Sequence, residues 1–175
     1  MESLPLRIAY LAEHVDILPH LVRWFEKEWP GYYGPAGPGD AWRDLRECTG
    51  RDELPIGLLA YCGETACGFA ALKPHSVATH RHLTPWAAAG LVRPEYRGKG
   101  IGTALVAALE AEARRRRGYP QIYCGTNTAD GLLRRRGWRE LEAAADVRIY
   151  LKALQVAAAP ATGEPCGTRR PDRPR

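Results

Sequence analysis

The feature that most constrains this chain is the passage Leu91-Val92-Arg93-Pro94-Glu95-Tyr96-Arg97-Gly98-Lys99-Gly100-Ile101-Gly102-Thr103. An apolar run, Trp86 to Val92, leads into a glycine-rich turn, and Ile101, Leu105, Ala108, Leu109 and Ala113 then recur at helical spacing. A strand that passes through such a turn into an amphipathic helix implies helices layered on a sheet. Gly98, Gly100 and Gly102 leave out Cβ atoms where the backbone must approach a ligand closely. The unpaired amides of the first helical turn converge there and the helix dipole adds positive charge, so the turn suits a phosphate or pyrophosphate. Arg97 and Lys99 place cations at its rim.

The rest of the chain alternates in the same way. Leu6 to Leu11 reads as a strand, and Leu18, Leu21, Val22, Phe25 and Trp29 as one face of a helix with Pro19 in its first turn and Pro30 as its stop. Gly31 to Gly39 is a loop by composition, followed by a short helix with Asp40 as its N-cap. Two apolar runs, Ile56 to Cys62 and Ala66 to Leu72, flank a turn and predict an antiparallel hairpin. Pro74 to Pro85 is a polar connection. Gln121 to Cys124 predicts a strand, Thr128 to Arg136 a short helix closed by Gly137, and Arg139–Leu141 with Val147–Leu151 a last pair of strands. The expected fold class is a mixed α/β sheet in one domain over residues 1–154. Residues 155–175 are expected to be a disordered Pro/Arg-rich tail, since they hold too little apolar surface to offset ordering.

With 175 residues the chain suits a single domain. No apolar run approaches the ~18 residues of a membrane span, and Met1 to Pro5 lacks the pattern of a secretion signal. The five cysteines are an odd, scattered set without paired spacing, so neither a disulfide framework nor a metal site is expected and a cytoplasmic location is. A net charge of +5 raises the question of a nucleic-acid partner. Yet Arg114–Arg117 and Arg134–Arg136 fall on amphipathic helices, with Glu110–Arg114 and Glu112–Arg116 at i,i+4 spacing, which favours solvated faces. Neither nucleic acid nor membrane is expected as a partner.

A dinucleotide fingerprint would need glycine where Thr103 stands, and a P-loop pattern is absent. Arg97-x-x-Gly100-x-Gly102 instead resembles the [Q/R]-x-x-G-x-[G/A] signature of the GNAT superfamily of N-acetyltransferases, and the order of elements is similar from Leu6 to Leu151. Thr79-His80-Arg81-His82-Leu83-Thr84-Pro85-Trp86 resembles a "TH-x-x-LTPW" lead-in of a bacterial subgroup. The resemblance implies the acyl-CoA N-acyltransferase fold, a mostly antiparallel mixed sheet flanked by helices, and acetyl-CoA as cosubstrate. Its pyrophosphate would be held by Arg97, Gly98, Lys99, Gly100, Ile101, Gly102 and Thr103, its thioester by amides around Leu91 and Val92, and its pantetheine arm by Asn127. The implied reaction is direct attack by an amine of a small molecule or peptide. Family members often form dimers, so a homodimer is expected.

The chain departs from the family where a leaving-thiolate acid is usual, since Leu133 stands at the tyrosine position. Tyr123, Cys124 and Tyr96 are nearby candidates for that role. His80 and His82 are candidate bases because imidazole titrates near neutrality, and Glu95 reads as structural. Trp29, Tyr32, Tyr33 and Glu28, with Trp24, Asp40 and Asp44 nearby, favour a cationic acceptor through aromatic faces and carboxylates. Leu133 also motivates the alternative of a CoA-binding sensor with weak or no transferase activity.

Overall fold

A computed structural model describes residues 5–144 and 146–155; the segment read as a tail lies outside the described residues, apart from Gln155. Seven strands form one sheet: β1 (Leu6–Tyr10), β2 (Ile56–Cys62), β3 (Thr65–Lys73), β4 (Trp86–Val92), β5 (Gln121–Thr126), β6 (Arg139–Ala144) and β7 (Val147–Ala153). Their order is β1-β2-β3-β4-β5-β7-β6, and β4 with β5 is the parallel pair among otherwise antiparallel neighbours. Five helices accompany them: α1 (Leu18–Glu28), α2 (Pro30–Tyr33), α3 (Ala41–Glu47), α4 (Ile101–Arg117) and α5 (Asp130–Arg135).

Alternation along the strands divides the core. On one face α4 inserts Ile101, Leu105, Leu109 and Ala113 against Leu58, Ala60, Ala70, Ala87 and Ile122. On the other, Leu21 and Phe25 of α1 and Leu45 of α3 cover Leu59, Phe69 and Leu91, while Trp86, Tyr123, Ile149 and Leu151 form a separate cluster. Gly68 lets α4 approach β3, since a Cβ there would lie 3.1 Å from Leu105 Cδ1 and 3.3 Å from Ile101 Cγ2.

Several boundaries differ from those the pattern predicts. The glycine- and tyrosine-rich stretch begins with α2, because Pro30 occupies a first helical turn as readily as it ends α1. The last short helix starts at Asp130 instead of Thr128: Thr126 Oγ1 accepts the amides of Thr128 and Ala129 at 3.1 Å, holding both in a turn. Strand β6 runs to Ala144, beyond the apolar signal, because pairing with β7 defines it. Asp40 caps α3 by accepting the Arg43 amide at 2.9 Å, and Gly137 has φ +80° after α5. No helix of the described residues is long and apolar enough to cross a membrane.

Candidate active site

The parallel strands part soon after they meet. Only Trp86↔Tyr123 and Ala87↔Cys124 pair, and beyond Ala87 the two strands diverge. Opposite β3 the register passes from Ala88↔Ala71 to Leu91↔Phe69, so Ala89 and Gly90 together face Ala70. Ala89 adopts φ +54°, a left-handed conformation unusual for a residue with a side chain. This bulge bends β4 away from β5 and opens the sheet. A cavity of about 340 Å³ fills the gap, floored by Leu109 and Leu133 and walled by Gly90, Cys124, Asn127 and Thr128.

Alternation of peptide groups decides which amides face it. The Arg93 amide donates to Cys67 O at 2.9 Å, so the same peptide turns Val92 O away from β3, where Arg97 Nε donates to it at 2.9 Å. The Val92 amide therefore faces the gap, whereas Leu91 directs its amide to β3 and its buried side chain to the α1 face.

At one end of the gap lies the glycine turn. Gly98 and Gly100 have φ +76° and +79°, and a Cβ built on either would meet nothing within 4 Å. That open space lies before the amides of Ile101, Gly102 and Thr103, of which none has an intrahelical acceptor. The hollow, about 330 Å³, is also bordered by Leu132 and Arg135 of α5. Arg135 escapes a sequence reading because the chain separation between the turn and α5 gives no sign that they adjoin.

Arg97 borders this hollow too, and a carboxylate of α1 also engages it. Its Nη2 donates to both carboxylate oxygens of Glu28, at 2.9 and 2.8 Å, tying the turn to the end of α1. Two residues expected to hold different ligands are thus each other's partners. Lys99 rests its ammonium 5.2 Å from the Tyr96 ring centroid, and Arg93 lies between Trp24 and Tyr96 while pairing with Glu95.

On the other side of the bulge a second cavity of about 340 Å³ shares Trp29, Ala88 and Ala89 with the first. Its walls carry Tyr32, Tyr33, Asp44, Lys73 and His75. Phe25 anchors the aromatic wall, with Trp29 edge-on at 5.0 Å and Tyr33 at 5.5 Å. Tyr33 donates to Asp44 Oδ2 at 3.0 Å; burial and that hydrogen bond hold the phenol protonated well above its ordinary range. Lys73, His75 and Asp44 join this wall only through tertiary contact, and of the three only Asp44 carried a signal in the sequence.

His80 and His82 stack loosely on one another, with centroids 5.8 Å apart, and His80 bonds Glu142 and Thr79. Neither lines the cavities described above, nor does Tyr123, which packs on Trp86 and accepts from Gln121. Cys124 does line the gap, and burial pushes its thiol up to about 12. Asn127 borders it while bracing the β7 entry, donating to Asp146 O at 2.6 Å and accepting the Arg148 amide at 3.2 Å. Tyr96 lines the hollow at the glycine turn.

The acetyltransferase (GNAT) family matches residues 18–138. The chain belongs to that family. The acetyltransferase fold extends over most of the chain in solved structures. An aminoglycoside 6'-N-acetyltransferase complexed with coenzyme A shares 16% identity at a TM-score of 0.68, covering 84% of this chain and 96% of that one. The aminoglycoside 6'-N-acetyltransferase from Enterococcus faecium gives 17%, 0.66, 84% and 96%. A GNAT-family acetyltransferase from Streptococcus pneumoniae gives 17%, 0.60, 86% and 100%. No match was found among curated proteins. The mixed sheet flanked by helices is thus the fold of this family of acetyltransferases.

Proposed function

We propose that this acetyltransferase moves the acetyl group of acetyl-CoA to a primary amine of a small molecule or peptide by direct attack. The observation that carries the reading is continuity: a phosphate-sized hollow at the α4 N-terminus, a split between β4 and β5, and a polar cavity all adjoin one bulged strand. The cosubstrate supplies an activated thioester. Gly98 and Gly100 leave room for its pyrophosphate, while the Ile101, Gly102 and Thr103 amides and Arg135 supply donors and charge. The pantetheine arm would lie along the gap beside Asn127, with the Val92 amide presented to it. A preorganised amide aimed at developing negative charge is worth about 3–4 kcal/mol in well-studied acyl transfer.

The acceptor would enter beside Trp29, Tyr32 and Tyr33, its cationic form attracted by Asp44 and the ring faces. Deprotonation is needed before attack. His75 lines this cavity, whereas His80 is engaged with Glu142, so His75 is the imidazole placed to relay the proton through water. The departing thiolate meets no strong acid: Leu133 is apolar, and the Cys124 thiol, pushed up to about 12, holds its proton. Aminoglycosides, acted on by two of the structural neighbours, belong in the first panel of amines together with polyamines and peptide amino termini.

Calorimetric titration with acetyl-CoA, followed by thiol release on that amine panel, tests the reading. Binding with turnover on at least one amine is expected. No binding at high micromolar acetyl-CoA refutes the site. Binding with no turnover on any amine favours the sensor alternative that Leu133 suggests.

A further inference from the structure

A pair of thiols lies on the α4 face of the sheet, at the β2–β3 hairpin. The register steps from Ala60↔Gly68 to Tyr61↔Ala66, so Cys67 is the extra residue of a bulge. The bulge brings Cys67 Sγ to 3.2 Å from Cys62 Sγ, and Cys67 Sγ also lies 3.2 Å from Ala60 O. Cys67 is fully buried beneath α4, whereas Cys62 near the hairpin turn is half-buried and reachable. The other described cysteines, Cys48 and Cys124, sit in different places: Cys48 after α3 and Cys124 in the β4–β5 gap.

We infer that Cys62 and Cys67 form a thiol–disulfide exchange site that takes low-molecular-weight disulfides, with Cys62 as the entry thiol and Cys67 as the resolving one. The assignment rests on contact and accessibility and does not depend on acetyl transfer. The Cys62 thiolate attacks one sulfur of R–S–S–R, a Cys62–S–S–R bond forms, and R–S⁻ leaves and takes a proton. Cys67 then gives its proton to water and attacks Cys62 Sγ; the Cys62–Cys67 bond forms and the second R–S⁻ leaves. The protein dithiol loses two electrons and two protons, and the small disulfide becomes two thiols. Burial and the Cys62 hydrogen bond push the Cys67 thiol up to about 12, so closure is the slower step and quickens as pH rises.

The bulge is also tied to the residues on either side of the glycine turn. Cys67 O accepts the Arg93 amide at 2.9 Å, Arg93 Nη1 donates to Ala66 O at 3.1 Å, and Gly68 lies directly under Ile101. Bond formation draws the sulfurs to about 2.0 Å and shifts the bulge on which this part of α4 rests.

The full chain is incubated with oxidised glutathione, quenched by alkylation, and mapped by mass spectrometry. A Cys62–Cys67 bridge is expected, with the mixed disulfide at Cys62 as its precursor. In Cys67→Ser the glutathione adduct should accumulate at Cys62, and in Cys62→Ser both adduct and bridge should be lost from this hairpin. Cys67→Ala replaces the serine variant if a hydroxyl is poorly tolerated at this buried position. A Cys62 adduct in the unmodified chain that does not convert to the bridge as pH is raised, a bridge to any other cysteine, or full alkylation of both thiols overturns the assignment.

Discussion

Gly100→Ala separates the backbone role of the turn from its ligand role. Gly100 has φ +79° and ψ 1°, and nothing within 4 Å would touch a Cβ there, so the cost to the free protein is conformational. Placing alanine in the left-handed region costs about 1–2 kcal/mol. For a domain of this size about 1 kcal/mol moves Tm by about 2–4 °C, giving an expected fall of about 2–8 °C. The new methyl occupies the space in front of the Ile101–Thr103 amides, where no protein atom competes for it. Acetyl-CoA affinity should also fall, by tenfold or more, which corresponds to about 1.4 kcal/mol or above, a loss that the stability change does not cause because the variant stays folded. Gly100→Asn serves as the control, because asparagine tolerates positive φ better: its Tm should lie nearer the parent while its affinity stays poor. Thermal unfolding and calorimetric titration on the same preparations read both quantities. A folded Gly100→Ala chain that binds acetyl-CoA as the parent does would refute the placement of the pyrophosphate.

Three further outcomes follow from other parts of the structure. Glu110 is buried, which raises its carboxyl pKa, but hydrogen bonds from Arg136, Lys152 and Trp138 outweigh this and leave it below the ordinary range. Its stabilisation is complete above the unfolded glutamate range and is lost as pH falls through the lowered value; Glu110→Ala should cost about 3–5 kcal/mol near neutral pH, with the difference shrinking in acid denaturation series. Ala89→Val puts a β-branched residue at φ +54° and between two cavities, so urea unfolding should show a loss of about 1–3 kcal/mol and kcat should fall with it. Cys124, held protonated to about 12, should resist iodoacetamide at pH 8 in the folded chain and react once urea unfolds it. Rapid modification of native Cys124 at pH 8 would contradict its raised thiol pKa.

The elements that were legible in the sequence are those governed by local rules. The passage from Leu91 to Thr103 combines apolar run, glycines and helical spacing, and the structure forms strand, turn and helix there. Asp40 caps α3, and Gly63 with Glu64 separates the paired β2 and β3 strands, for equally local reasons. Side chains whose partners lie far along the chain were less legible. No local spacing announces that α1 brings Glu28 within 2.8 Å of Arg97, and His75 looks like any loop histidine until β4 bulges beside it.

By itself, then, the sequence determined the alternation of strands and helices and the glycine turn with its unpaired amides, because each depends on residues within about one helical turn or strand of each other. Only the tertiary structure decided where β4 and β5 separate, which amide faces the gap, and which aromatic, acidic and imidazole groups share the wall of the second cavity. Those features arise from a bulge of Ala89 and Gly90 against Ala70 and from the docking of α1, α3 and α5. They rest on contacts between residues far apart in the chain, which no local spacing encodes.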